Sequence, residues 1–188
     1  MRTVFDGGES RVRVHAAVRI NAKPEAIWRV LTDCEHAARF IPGVKRCHRL
    51  ETAPDGSWDL IEQESKYSWL MPSVRCVVRA DYKRPERIDF KGVRGDLKDW
   101  EGYWLLEPQG RQGPGGTGDP IGATTSRSSA LARTSAQAPD EVTIVEYDLY
   151  VDPGFWIPRI LLRHSLRTEL PAALTALRAR SEDAAGTQ

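Results

Sequence analysis

Between Arg11 and Ile20 the chain alternates: Val12, Val14, Ala16, Val18 and Ile20 point one way, and Arg11, Arg13, His15 and Arg19 the other. A period of two with one polar face predicts a half-buried strand. The period then lengthens. In NAKPEAIWRVLTD, Pro24 suits a first helical turn, where a missing N–H costs nothing, and Glu25 complements the helix dipole. Ile27, Val30 and Leu31 form the apolar stripe of this helix, with Trp28 beside it. Thr32 and Glu35 have the spacing of a capping box, which predicts a second short helix ending before Pro42 and Gly43.

Period two returns for most of the remaining chain. Val44 to Glu51 reads as a strand closed by the turn APDG at 53–56, and Trp58 to Tyr67 as its hairpin partner. From 74 to 82 the apolar face carries Val74, Cys76, Val78, Ala80 and Tyr82. Arg87 to Lys91 is a short strand, and Leu97 to Glu107 a longer one with Trp100, Trp104 and Leu106 on one face. Gly102 lies between the two tryptophans, and a glycine inside a strand predicts a bulge or bend. Residues 108–139 are rich in Gly, Pro, Ser and Thr without periodicity, and read as a flexible hairpin loop between the last two strands. Glu141 to Val151 is the last strand, with Val145, Tyr147, Leu149 and Val151 sharing a face.

From Phe155 to about Ser181 the pattern is helical, with a kink expected at Pro171 and a frayed tail at 182–188. Consecutive strands joined by short turns pair antiparallel, and a long sheet with one apolar face must curl around something. The C-terminal helix is the large apolar element left to fill it. The fold class is therefore α+β, a curved antiparallel sheet of about seven strands around a long C-terminal helix, with two short helices after the first strand. All 188 residues form one domain.

Composition narrows the partners. A hydrophobic share of 40% supports a core, and a net charge of +1 gives no footprint for nucleic acid, so none is expected as a partner. Cys34, Cys47 and Cys76 are odd in number and irregular in spacing, and read as thiols in a reducing cytosol. The chain shows no signal-peptide pattern and no apolar run of membrane-spanning length, so a cytoplasmic protein is expected.

The segments INAKPEAIWRVLTDCEHAARFIPGVKRCHRLE at 20–51, GDLKDWEGYWLLEP at 95–108 and VDPGFWIPRILLRHSLRTELPAALTALRAR at 151–180 resemble the START-like (SRPBCC) superfamily. The resemblance is greatest to its polyketide cyclase/dehydrase and coenzyme-Q-binding branch. It covers nearly the whole chain outside the 108–139 insertion. It implies a helix-grip fold with an internal cavity. Members of the superfamily bind lipids, quinones, sterols or polyketides; some are cyclases or aromatases, and others act on ribosomes or chaperones. The matching residues are mostly packing, turn and helix-start positions, so they specify a fold and leave the function open.

No catalytic motif stands out: HExxH, paired CxxC, a Walker loop and a nucleophile elbow are all missing from the sequence. GPGGTG neither follows a strand closely nor opens a helix, so no nucleotide, metal or other cofactor is expected. Of the four histidines, His15 and His36 fall on polar faces. His48 shares parity with Val44 and Leu50, and His164 lies on the long helix. The candidate cavity residues are His48, Trp69, Trp100, Trp104, Val145, Tyr147, Leu149, Trp156, Ile160 and His164. Ordinary core packing explains the aromatic ones equally well. His48, Tyr147, Arg163 and His164 are candidates to orient a ligand. The apolar loops SWLMPS and PGFWIP either cap the cavity or touch a membrane through Trp69-Leu70-Met71 and Phe155-Trp156. Three functions remain open: binding or transport of a hydrophobic small molecule, a polyketide cyclase or dehydratase, and a ribosome- or protein-interacting module.

Overall fold

The computed structural model describes residues 2–6, 11–66, 73–109, 141–154 and 159–186, with the backbone alone for 2–6 and 159–166. Eight strands and three helices follow in the order β1 (Arg2–Asp6), β2 (Val12–Ile20), α1 (Pro24–Leu31), α2 (Cys34–Phe40), β3 (Val44–Thr52), β4 (Trp58–Ser65), β5 (Val74–Lys83), β6 (Arg87–Gly95), β7 (Asp99–Gln109), β8 (Val142–Asp152) and α3 (Arg159–Gly186). All eight strands join one antiparallel sheet in the order β1-β2-β8-β7-β6-β5-β4-β3. The α1–α2 pair carries the chain from β2, near one end of the sheet, to β3 at the other. This is the helix-grip arrangement.

Three expectations change. The sheet has eight strands because RTVFD pairs with Arg13–Ala17 of β2. Five residues are too few to show a period, and this edge strand is ordered by its partner. The expected frayed tail at 182–188 is helical as far as Gly186. It is tied down: Ser181 is buried, Ala184 and Ala185 pack on the core, and the Glu182 carboxylate accepts from the Asn21 N–H at 3.0 Å. The capping box does not form, because the Thr32 hydroxyl donates back to the Trp28 carbonyl at 2.9 Å and Asp33 is the residue that starts α2. Strands β7 and β8 stay in register out to Gln109 opposite Val142, so the segment between them closes a hairpin. Its expected flexibility lies outside the described residues.

The main core sits at one end of the sheet. Val14, Ala16, Val18 and Ile20 of β2, Leu106 of β7 and Val145 of β8 pack against Ile27 and Val30 of α1 and Leu170, Leu174 and Leu177 of α3. Pro171 lies within α3 and withholds an N–H from the preceding turn, and the helix continues through it. Among the described residues no helix is long and apolar enough to cross a membrane.

Candidate functional site

Beyond this core the concave face of the sheet stands away from α3, leaving a cavity of about 370 Å³. That volume is within the range of small-molecule sites. The alternating faces read from the sequence supply its wall. Val74, Cys76, Val78, Ala80 and Tyr82, the whole apolar row of β5, line it, with Ile61, Gln63 and Ser65 of β4 alongside. Leu170 and Ala173 of α3 close it from above, together with Glu169, and α2 adds Cys34 and Ala37.

One side of the wall is aromatic. Trp104 and Tyr147 face each other across β7 and β8, with ring centroids 4.2 Å apart. Phe90 lies 6.1 Å from Tyr147 and 5.8 Å from Trp100. Gly102 makes this arrangement fit. It pairs in unbroken register with Phe90 on one side and Leu149 on the other, so no bulge forms at this point. A Cβ at 102 would collide with the Asp148 carbonyl and come within 2.7 Å of the Phe90 ring. The glycine is thus a site of close approach, where a neighbouring ring takes the room of a side chain.

Of the expected cavity residues, Trp100, Trp104, Tyr147 and Leu149 line the space. Two others do not. Val145 is fully buried in the solid core, opposite Val18 and Leu106, because α3 descends onto the sheet at that level. His48 is exposed. A β-bulge between Val44 and Arg46 inserts one residue into β3, which turns Cys47 inward and His48 and Leu50 outward. Trp69 and Trp156, and with them the two apolar loops, lie outside the described residues, as do the side chains of Ile160, Arg163 and His164.

The same bulge brings Cys47 against Cys34, and the two form a disulfide joining β3 to α2 at the cavity wall, with Cα atoms 5.3 Å apart. This corrects the expectation of three thiols, and it removes the cysteines from the argument for a reducing compartment. Cys76 is free and buried, and burial pushes its thiol pKa up, partly offset by backbone hydrogen bonds from Leu97 and Asp96.

Apart from Tyr147, the polar groups of the site were not among the candidate residues read from the sequence. Gln63 donates to Ser65 Oγ at 2.8 Å within the wall, and Glu169 is the one carboxylate among the described lining residues. At the Tyr82 end, the phenol donates to Asp59 Oδ2 at 2.8 Å, and Arg49 Nε lies 2.9 Å from the same oxygen. Burial, then the hydrogen bond and the charge of Asp59, push the Tyr82 pKa well up, with Arg49 and Arg84 opposing. The phenol therefore stays a neutral donor. Trp28 meets Tyr82 edge-on at 5.6 Å. Parity alone could have placed Tyr82 and Gln63 on this wall. Arg49 lies opposite Ile61, on the strand face that Asp59 shares, and it reaches that face only through the register shift between Val44 and Arg46. Among the described residues no cluster of three or more His, Cys, Asp or Glu could hold a metal ion.

The family model described as polyketide cyclase / dehydrase and lipid transport matches residues 20–178. TTHA0849 from Thermus thermophilus superposes with a TM-score of 0.65 at 18% identity, over 92% of this chain and 98% of that one. A START superfamily protein from Mycobacterium smegmatis gives 0.64 at 19% identity, over 91% and 97%. The Zhui aromatase/cyclase from Streptomyces sp. R1128 gives 0.60 at 14% identity, over 92% and 94%. No curated protein matches in sequence.

Proposed function

Because the chain belongs to the polyketide cyclase/dehydrase and lipid transport family, we propose that it binds or carries a hydrophobic small molecule, a quinone, polyketide or lipid, in the cavity between sheet and α3. The observation that carries this reading is the cavity itself: about 370 Å³ with an almost wholly aliphatic and aromatic wall. Removing apolar ligand surface from water supplies about 25 cal/mol per Å², and the few polar groups orient what is bound. Native mass spectrometry of the purified protein, with extraction of bound lipophiles, tests the idea. A copurifying apolar molecule, or saturable binding of a fluorescent fatty acid or quinone, is expected. A protein that carries none and binds neither probe has no such function.

A second reading, a cyclase or dehydratase, draws support from Glu169. A carboxylate on α3 beside an apolar wall is placed to take a proton from a folded substrate. Glu169→Gln would abolish turnover and preserve binding if this reading holds. A bound ligand without turnover in the parent protein excludes it.

A further inference from the structure

Two neutral polar side chains interrupt the apolar wall on β4. Gln63 and Ser65 both line the cavity, two residues apart on one strand face. Their cross-strand neighbours offer them little. Gln63 faces Cys47 and Cys76, and Ser65 faces Val44 and Val74. Cys47 is held in the disulfide, and backbone N–H groups of Leu97 and Asp96 already meet the Cys76 sulfur. The two side chains therefore turn to each other, with Gln63 Nε2 donating to Ser65 Oγ at 2.8 Å. That bond leaves the amide oxygen, the second N–H and the Ser65 hydroxyl hydrogen without a partner among the described residues. A ligand that fills the cavity takes water away from these groups and must replace its hydrogen bonds or leave them unmade. Charge sets a second condition. Glu62, Glu64 and Arg75 alternate with the lining residues of β4 and β5 and so point to the other face of the sheet. No Lys, Arg or His is among the described residues of the cavity wall.

We propose that Gln63 and Ser65 seat an uncharged oxygen, hydroxyl or carbonyl, of an otherwise apolar ligand, and that the cavity rejects the same ligand as a carboxylate. The proposal rests on the reading of the cavity as a ligand site. The amide oxygen lies one amide width beyond Nε2, so it is at most about 5 Å from Ser65 Oγ. One ligand oxygen at ordinary hydrogen-bond length can therefore touch both. A hydroxyl donates to the Gln63 oxygen and accepts from Ser65. For a carbonyl the amide turns over: its oxygen accepts from the Ser65 hydroxyl, and both N–H groups face the ligand. A carboxylate enclosed here lies beside no cation, and an unpaired buried charge costs far more than these bonds return. A long fatty acid escapes that cost by leaving its carboxylate in water. Phe90 and Trp100 line the same cavity from β6 and β7, so a ring system carrying the oxygen meets an aromatic wall.

The test uses three naphthalenes of one shape at about pH 7, where a carboxylic acid is ionised: 2-acetylnaphthalene, 2-isopropenylnaphthalene and 2-naphthoate. Each is small enough to be enclosed whole. Binding is read from probe fluorescence and by calorimetry. The full chain should bind the ketone roughly tenfold or more tighter than the carboxylate. Gln63→Leu, which keeps the bulk of the side chain, should weaken the ketone by roughly three- to tenfold relative to the alkene, the worth of a hydrogen bond. Ser65→Ala should move the same ratio in the same direction. If the carboxylate binds as tightly as the ketone, or if both variants keep the parent's ketone-to-alkene ratio, the proposal is overturned, while binding of the alkene leaves the cavity reading standing. If none of the three binds, nor the fatty acid or quinone probe, both fall together. Should Gln63→Leu not fold, Ser65→Ala reads the same ratio, and the comparison of ketone with carboxylate needs no variant.

Discussion

Enlarging two neighbouring positions of β8 should have opposite consequences. Val145 and Leu149 lie on the same strand face, two pleats apart. Val145 has no exposed surface and is held between Val18 and Leu106 under α3. Val145→Phe therefore forces a ring into packed space, which costs about 1–3 kcal/mol. For a chain of this size each kcal/mol moves the melting temperature by about 2–4 °C, so a fall of about 2–12 °C is expected. Leu149 borders the cavity. Leu149→Trp directs new volume into empty space, so melting should shift by less than about 2 °C. The indole then occupies wall that a ligand would cover. If about 100 Å² of ligand contact is lost, binding weakens by about 2.5 kcal/mol, or nearly a hundredfold in Kd. Thermal unfolding by circular dichroism and titration with a fluorescent fatty acid or quinone read the two effects separately. The division into solid core and open cavity is refuted if Leu149→Trp destabilises as strongly as Val145→Phe while binding normally. It is equally refuted if Val145→Phe melts like the parent and loses the ligand.

The Cys34–Cys47 disulfide closes a loop of sequence separation 13, and a loop near that length contributes roughly 3 kcal/mol; reduction or Cys47→Ser should lower the melting temperature by about 6–12 °C, and identical melting with and without reductant would show that the bond does not form. Replacing residues 110–140 by a two-to-four-residue Gly-containing turn should keep the fold and raise stability by up to about 2 kcal/mol, since each halving of a loop returns about 0.6 kcal/mol; loss of cooperative denaturant unfolding would show that the segment packs on the domain. Gly102→Ala should destabilise by more than about 2 kcal/mol, because the new methyl meets the backbone of Asp148, which cannot swing aside. A variant that unfolds at the parent's urea midpoint would mean that the approach of β8 at this point is looser than described.

Local pattern was enough wherever a face is set by unbroken alternation or helical spacing. The rows Val74–Tyr82 and Tyr147–Val151, the α1 stripe and the order of elements all follow from where apolar side chains must go when water is excluded. Such a pattern says which way a side chain points and nothing about what waits on the other side. That is why Val145 and Leu149 looked equivalent, and only the descent of α3 put one in core and the other at a cavity. Irregularities of register were equally hidden. One extra residue in β3 reversed the parity that had placed His48 inside, and the same bulge put Cys47 within bonding distance of Cys34. Bulges cost little locally and are chosen by the partner strand, so they leave no mark in a single sequence. The Arg49–Asp59–Tyr82 group lies still further from local pattern, because three adjacent strands each supply one member. The sequence alone determined a one-sided curved sheet gripping a helix. The placement of that helix and the slip in register between Val44 and Arg46 decided what the enclosed space can hold, because both are long-range packing outcomes to which many residues contribute a little.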